Sequence, residues 1–261
     1  MILFLAGTSD ARELAIRLTK RSFPLIATVV TESAAESLKK ERIPVRIGRL
    51  NEEQMAKFCM ENRITTIVDA SHPFAEEAHK TAKSVAERLN IPYVRYEREN
   101  LHFEQDFITY VSTYEEAADL AANKKGVVML TTGSKTLEIF AKKLLPLEDV
   151  RVICRMLPRL DNMQKCEQLG FPQKNIVAMQ GPFSKELNIA LFKQFGVTLM
   201  ITKESGKVGA VDEKIEAAKE FGIETIVIQR AKIEFGKVYY KIEDVVNELE
   251  TLKKRGLSYE I

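Results

Sequence analysis

The segment DASHPFA, residues 69–75, places a histidine directly after the apolar run ITTIV. His72 is one of three histidines in 261 residues, and an imidazole can exchange a proton near neutral pH. This histidine or the serine before it is predicted to cap a helix that begins at Pro73, which puts His72 at the mouth of a crevice. A ligand-facing, proton-donating His72 and a structural His72 bonded to a neighbouring loop are both open interpretations. A metal site shared with Glu76 and His79 is disfavoured, because His72 lies outside the helix.

Four other loops combine glycine with hydroxyl groups, and three of them add lysine. They are GTSDAR (7–12), TTGSK (131–135), GPFSKE (181–186) and TKESGKVG (202–209). Glycine lets backbone N–H groups approach a phosphate closely, and lysine supplies a positive charge. Helix capping explains the same hydroxyl residues without a ligand, so both interpretations stay open. In the first loop Asp10 would repel a phosphate, which favours a neutral or donor-bearing part of a ligand there. The chain has no G-x-G-x-x-G and no Walker A sequence.

Arginines gather near two predicted strand ends. RVICRMLPR carries Arg151, Arg155 and Arg159, and Arg95 and Arg98 close the first predicted domain. A guanidinium group can bind a carboxylate through two parallel hydrogen bonds. These positions suit an anionic ligand, although a solvated surface is the commoner place for any single arginine.

Short β-branched runs alternate with amphipathic stretches along the chain. ILFLA precedes a stretch whose Ala11, Leu14 and Leu18 share one helical face, and PLIATVV follows. The repeated pattern predicts an α/β protein with mainly parallel sheets covered by helices. The polar stretch RENLHFEQDF interrupts the rhythm, so we expect two domains, residues 1–98 and 99–261. Ligands of open parallel sheets bind beyond the carboxyl ends of strands, where all these loops are predicted to lie.

Composition narrows the functional classes. Hydrophobic residues make up 45% and charged residues 29%, which is typical of a globular protein, and a net charge of +2 does not favour nucleic acid. Three cysteines without a C-x-x-C pair support neither a disulfide framework nor a zinc site. The start MILFLAGTSD lacks the basic region of a signal peptide, and its apolar run is too short to span a membrane. We therefore expect a cytoplasmic protein.

Several of these motifs together resemble the precorrin-6A reductase family of cobalamin biosynthesis. In order they are GTSDARELA, DASHPFA, LTTGSK, RMLP, GPFS with Asn188 four residues on, TKESG followed by EKIEAA, and IQR. Asp10 stands where the family pattern has Glu, and Ser71 where Thr is usual. The resemblance implies two Rossmann-like domains and reduction of the C18–C19 bond of a tetrapyrrole, precorrin-6A or its cobalt form, by NADPH or NADH.

The resemblance also implies roles for particular residues, in a cleft between the domains. His72 is the candidate proton donor, with solvent as the rival source. The substrate side is expected to comprise Gly7, Thr8, Ser9, Asp69, Ser71 and Arg155. The cofactor side is expected to comprise Thr132, Gly133, Ser134, Ser184, Lys203, Ser205, Gly206 and Arg230. No resident metal is expected.

Other functions remain as alternatives. A short-chain dehydrogenase is disfavoured because no Y-x-x-x-K occurs around any of the seven tyrosines. A tetrapyrrole-pathway methyltransferase would use similar α/β loops and an anionic substrate. A non-enzymatic, two-lobed cytosolic ligand sensor would bind its ligand without oxidising a cofactor. The sequence gives no indication of oligomeric state.

Overall fold

A computed structural model gives the fold as two compact units. The first comprises Met1–Glu99 together with Lys232–Ile261, and the second comprises Asn100–Ala231. The residues that the structure describes are 1–97, 105–204, 211–230 and 233–256, without the side chains of 211 and 212. Among them, no helix is both long and apolar enough to cross a membrane.

The first unit is a six-stranded parallel sheet covered by helices, here the first sheet. Its strands are β1 (Ile2–Ala6), β2 (Leu25–Val29), β3 (Val45–Ile47), β4 (Thr66–Ala70), β5 (Tyr93–Tyr96) and β12 (Val238–Tyr239). Its helices are α1 (Ser9–Lys20), α2 (Glu32–Lys39), α3 (Glu52–Glu61), α4 (Glu76–Arg88) and α10 (Ile242–Lys254).

The second unit repeats this architecture around the second sheet. Its strands are β6 (Ile108–Val111), β7 (Gly126–Leu130), β8 (Val150–Met156), β9 (Ile176–Ala178), β10 (Leu199–Lys203) and β11 (Glu224–Ile228). Its helices are α5 (Tyr114–Ala122), α6 (Leu137–Leu144), α7 (Leu160–Gln168), α8 (Lys185–Phe195) and α9 (Val211–Phe221), with a short 3-10 turn at Gln173–Asn175.

Each sheet reverses its strand order once. The first sheet runs β12-β5-β4-β1-β2-β3, and the second runs β6-β11-β10-β7-β8-β9. The reversal lies between β1 and β4 in the first sheet and between β7 and β10 in the second. The first sheet has the order of a Rossmann fold, and strands β7–β11 of the second sheet have it too, with β6 added at the edge beside β11. In that fold the crevice at the reversal binds ligands. The α/β prediction with mainly parallel sheets is confirmed.

Helix α1 illustrates how the sequence determines these elements. Its start is fixed by Thr8, whose side chain accepts a hydrogen bond from the N–H of Ala11. The predicted apolar face is buried, since Ala11, Leu14 and Leu18 have no exposed surface and pack in one core with Ile2. Burial of that face stabilises the helix against its sheet.

The last thirty residues differ from the predicted domain division, which assigned them to the second domain. Strand β12 pairs with β5, where Val238 lies opposite Arg95, and α10 packs into the core of the first unit. The amphipathic pattern of α10 predicts a helix but does not indicate which sheet it covers, because either sheet offers an apolar face. The predicted boundary beside residue 98 falls outside the described residues.

This arrangement predicts which strands loosen when α10 is damaged. Leu249 is fully buried in the core of the first unit, so Leu249→Ala should destabilise that unit by about 2–5 kcal/mol. Hydrogen exchange should accelerate in β1 and β5 but not in β7 and β10. The exposed neighbour Asn247 provides the control, and Asn247→Ala should change neither pattern. Faster exchange confined to β7 and β10 would contradict the assignment of α10.

Candidate active site

Asp69 is a fully buried carboxylate near the carboxyl end of β4. It accepts hydrogen bonds from Ser71 Oγ at 2.5 Å, His79 Nδ1 at 2.8 Å and Tyr93 OH at 2.7 Å. Arg95 Nη1 lies 3.2 Å from its Oδ1. Burial alone would raise the pKa of Asp69, but the His79 hydrogen bond and the Arg95 charge outweigh it and hold that pKa well below its usual range. The carboxylate is thus charged and fully engaged inside the fold.

Arg95 ties this carboxylate to the backbone of the following loop. Its Nη1 also donates to the carbonyl oxygens of Asp69 at 3.0 Å and Ser71 at 3.1 Å. Phe235 covers the group: its ring centroid lies 5.2 Å from the Arg95 guanidinium carbon and 5.3 Å from the His79 ring. Arg95 is therefore not one of the solvated surface arginines that are commonest in proteins, because it has no exposed surface. Asp69 was predicted to face substrate, yet this geometry favours a role in holding the loop.

His72 lies in that loop, and its ring has a defined hydrogen-bond direction. The N–H of Phe74 donates to His72 Nδ1 at 3.2 Å, so in the neutral ring the proton is carried by Nε2. The N–H of Ala75 donates to the His72 carbonyl at 2.7 Å and closes a turn. Helix α4 therefore begins at Glu76 and not at Pro73, which corrects the predicted helix start. His72 itself is half-buried.

The loop after β1 meets the loop after β4 at the strand reversal. A Cβ atom added to Gly7 would lie 3.3 Å from the backbone nitrogen of His72, so a larger residue would crowd this contact. Thr8 caps α1, and Ser9 is exposed as its first residue. A shallow depression beside them is lined by Thr8, Asp10, Ala70, Ser71, Pro73, Tyr96 and Glu97. Of the predicted substrate-side residues, Thr8 and Ser71 thus line this depression, and Gly7 lies against the backbone of the same loop.

The reversal of the second sheet gathers predicted cofactor residues. Thr132 follows β7 and is buried, and its hydroxyl has no hydrogen-bond partner among the described residues. Gly133 has φ +82°, where a side chain would be strained, and a Cβ atom added to it would have no atom outside its neighbouring residues within 4 Å. Ser134 follows and is half-buried. Lys203 ends the neighbouring β10, and burial, with the charge of Lys135, lowers its pKa to about 8.

The neighbouring strand β8 carries Arg155, which is 6% exposed. Its Nη1 donates to Asn188 Oδ1 at 2.7 Å, and its guanidinium carbon lies 4.0 Å from the ring centroid of Phe183. Burial lowers its pKa to about 10. Ser184 caps α8 by accepting from the N–H of Leu187, as the capping interpretation predicted.

Of three further predicted residues, one lies just beyond β11 and two fall outside the described residues. Arg230 donates its backbone N–H to Glu204 Oε2 at 3.1 Å, beside the end of β10. Ser205 and Gly206 fall outside the described residues.

Sequence reasoning missed Lys214, on α9. It is a buried lysine whose Nζ donates to Thr202 Oγ1 at 3.1 Å. Burial, followed by the charges of Arg155 and Lys203, lowers its pKa to about 7. Its position in EKIEAA was a signal, because it lies one residue from the buried Ile215 in an otherwise charged turn.

Comparison with known proteins identifies the family. Residues 1–250 match the family model described as Precorrin-6x reductase CbiJ/CobK. The chain belongs to this family. The resemblance recognised in the sequence is confirmed, and with it an oxidoreductase of cobalamin biosynthesis.

Relatives and a solved structure agree with the family. A protein of Priestia megaterium named cobalt-precorrin-6A reductase is 61% identical over 249 residues, covering 95% of this chain and 98% of that one. A protein of the same name from Methanothermobacter thermautotrophicus is 34% identical over 263 residues, covering 98% and 85%. The solved structure titled CobK precorrin-6A reductase matches with a TM-score of 0.79 at 21% identity, covering 96% of both chains, which supports the fold.

The Asp69 cluster gives a prediction for acid stability. Asp69→Asn should lower the free energy of unfolding by about 3 kcal/mol near neutral pH, because it removes the closer of the two carboxylates that compensate the buried Arg95; the other is Glu97, 3.6 Å from Nη2. The lowered pKa means that the carboxylate stabilises the fold above the ordinary Asp pKa of about 3.9, and this stabilisation is lost as pH falls below it. Urea unfolding at several pH values should therefore show the difference from the unsubstituted protein shrinking in acid.

An exposed ion pair provides the control for this prediction. Asp119 pairs with Lys143 at 2.5 Å, but both side chains are at least half exposed. Asp119→Asn should change stability by less than about 1 kcal/mol at any pH. A pH-independent loss in Asp69→Asn would contradict the depressed pKa of Asp69.

Proposed function

We propose that this protein reduces the C18–C19 bond of precorrin-6A or cobalt-precorrin-6A with NADPH or NADH. The observation that carries the proposal is 61% identity, over 95% of the chain, to a protein named cobalt-precorrin-6A reductase. The positions of the candidate residues at both strand reversals support it. That relative's name favours the cobalt form as substrate.

The residues after β7 and β10 fit a reduced nicotinamide nucleotide. The buried Thr132 hydroxyl lacks a partner within the described ranges, and Gly133 leaves open space for a phosphate near backbone N–H groups. The nucleotide would be held by Thr132, Gly133, Ser134 and Lys203. Ser184, after β9, and Arg230, after β11, would contribute from the loops of other strands. When bound, it supplies a hydride to the substrate.

The residues of the first unit would orient the substrate and deliver a proton. Thr8 and Ser71 offer hydroxyl groups to the depression, and Gly7 and Ser9 flank Thr8 in the same loop. The Nε2 proton of His72 would pass to the carbon next to the one that receives hydride. Asp69 and Arg95 hold the backbone of this loop, so they act as positioning residues.

Turnover with each substrate and nucleotide tests the proposal. The purified protein, given precorrin-6A or cobalt-precorrin-6A, should consume NADPH or NADH and shift the absorption spectrum of the macrocycle. The reaction should stop when either partner is omitted. Binding of S-adenosylmethionine without nucleotide oxidation would indicate a methyltransferase, and binding of the tetrapyrrole without any oxidation would indicate a sensor.

Replacing His72 tests the source of the proton. His72→Ala should lower kcat by about 100-fold and leave KM for the tetrapyrrole nearly unchanged, because proton donation acts in the transition state. Added imidazole should restore part of the rate. Glu77→Gln, an exposed change on α4, should behave as the unsubstituted protein. An unchanged kcat in His72→Ala would assign the proton to solvent.

A further inference from the structure

Two buried cations lie on one face of the second sheet. Arg155 on β8 follows Ile153 by two residues, and Thr202 on β10 follows Met200 by two. Alternate residues of a strand share a face, and Ile153 and Met200 belong to the core that α8 and α9 cover. Arg155 therefore points into the layer where Lys214 reaches Thr202.

Protein groups do not neutralise this pair in the part of the chain that is described. Neither Arg155 nor Lys214 has a carboxylate oxygen within 4.0 Å there; their hydrogen bonds go to the neutral Asn188 and Thr202. A charge removed from water costs several kcal/mol unless an opposite charge compensates it. The charged form of Lys214, together with Arg155, therefore raises the energy of this layer unless an anion binds.

The surrounding charges reinforce the positive potential. The charge of Lys203 on β10, like that of Arg155, lowers the pKa of Lys214. The nearby Glu204 accepts a hydrogen bond from the backbone N–H of Arg230. Lys185, at the start of α8, pairs with Glu220 of α9. Glu213 and Glu216 share α9 with Lys214, but both are exposed. Helix α9 begins at this edge, and helix N-termini attract anions. The N-terminus of α8 is already met by a carboxylate, because the N–H of Lys185 donates to Glu213 Oε2 at 2.9 Å.

We propose that Arg155 and Lys214 form a binding site for one oxyanion group, a phosphate or a carboxylate. Asn188 fixes the orientation of Arg155, because its side-chain amide donates to the Ser184 carbonyl at 2.7 Å while its oxygen accepts from the guanidinium. The remaining N–H groups of Arg155 and Lys214 supply the donors. The proposed function enters only in naming the molecule that carries the oxyanion, which would be the nucleotide or an acidic side chain of the tetrapyrrole.

Binding of sulfate and succinate to the protein without substrate or nucleotide tests this site. Sulfate represents a phosphate and succinate a carboxylate, and neither changes protonation at about pH 8. Calorimetry should show that Lys214→Met weakens binding of the preferred anion at least about tenfold. Lys219→Met, an exposed change on the same helix, should not. Tighter sulfate binding would indicate the nucleotide as the source, and tighter succinate binding the tetrapyrrole.

Proton uptake gives a second measurement that needs no variant. With its pKa lowered to about 7, Lys214 is mostly neutral at about pH 8, and a bound anion should draw a proton onto it. Calorimetry in buffers of different ionisation enthalpy should therefore reveal proton uptake, which Lys214→Met should abolish.

Two results would overturn the site. One is that neither anion binds; the other is that binding is equal in all three proteins without proton uptake. Failure of the proposed function is distinct, because nucleotide oxidation would then be absent while anion binding still depended on Lys214.

Discussion

Every strand pairing in the described parts of both sheets is parallel, so the carboxyl ends of each sheet lie along one edge. The candidate site depends on this constraint. Loops that are far apart in sequence meet only because β1 adjoins β4 and β7 adjoins β10. Gly7 approaches the backbone of His72 for this reason. Chemistry at that edge can vary without disturbing the strands, because the loops contribute little to the cores beneath them.

Buried charges in the two units are handled in opposite ways. In the first unit Asp69 and Arg95 compensate each other, and three further donors complete the carboxylate's hydrogen bonds. Such a cluster resists change, since loss of Asp69 leaves the buried Arg95 with only Glu97, at 3.6 Å, to offset its charge. In the second unit Arg155 and Lys214 share one sign, and no described carboxylate offsets them. The first arrangement suits a rigid support for a loop, whereas the second suits a ligand that brings the missing charge.

Periodicity in the sequence was sufficient to predict the alternating strands and helices, because each amphipathic stretch has one face to bury. It was insufficient for β12, whose two residues, Val238 and Tyr239, are too few to show a pattern. The burial of Arg95 and Lys214 was also missed, since charged residues are usually solvated and only distant neighbours decide otherwise. Glycine and hydroxyl residues marked the loops after β1 and β7 and before α8 correctly, whereas most of the predicted loop 202–209 lies outside the described residues. The start of α4 was misplaced because Pro73 fits a turn as well as a first helical turn.

The return of the chain to the first unit completes the support beneath His72. Phe235 precedes β12, and its ring lies against His79, Tyr93 and Arg95 together. Exclusion of water by this ring strengthens the hydrogen bonds to Asp69, because a charge interacts more strongly where the local dielectric is low. Burial, followed by the charge of Asp69, raises the pKa of Tyr93 far above its usual range, so its hydroxyl stays protonated as a donor. Residues 1–97 therefore supply the carboxylate and all its donors, but the environment that makes the cluster rigid requires a segment more than 130 residues later in the chain.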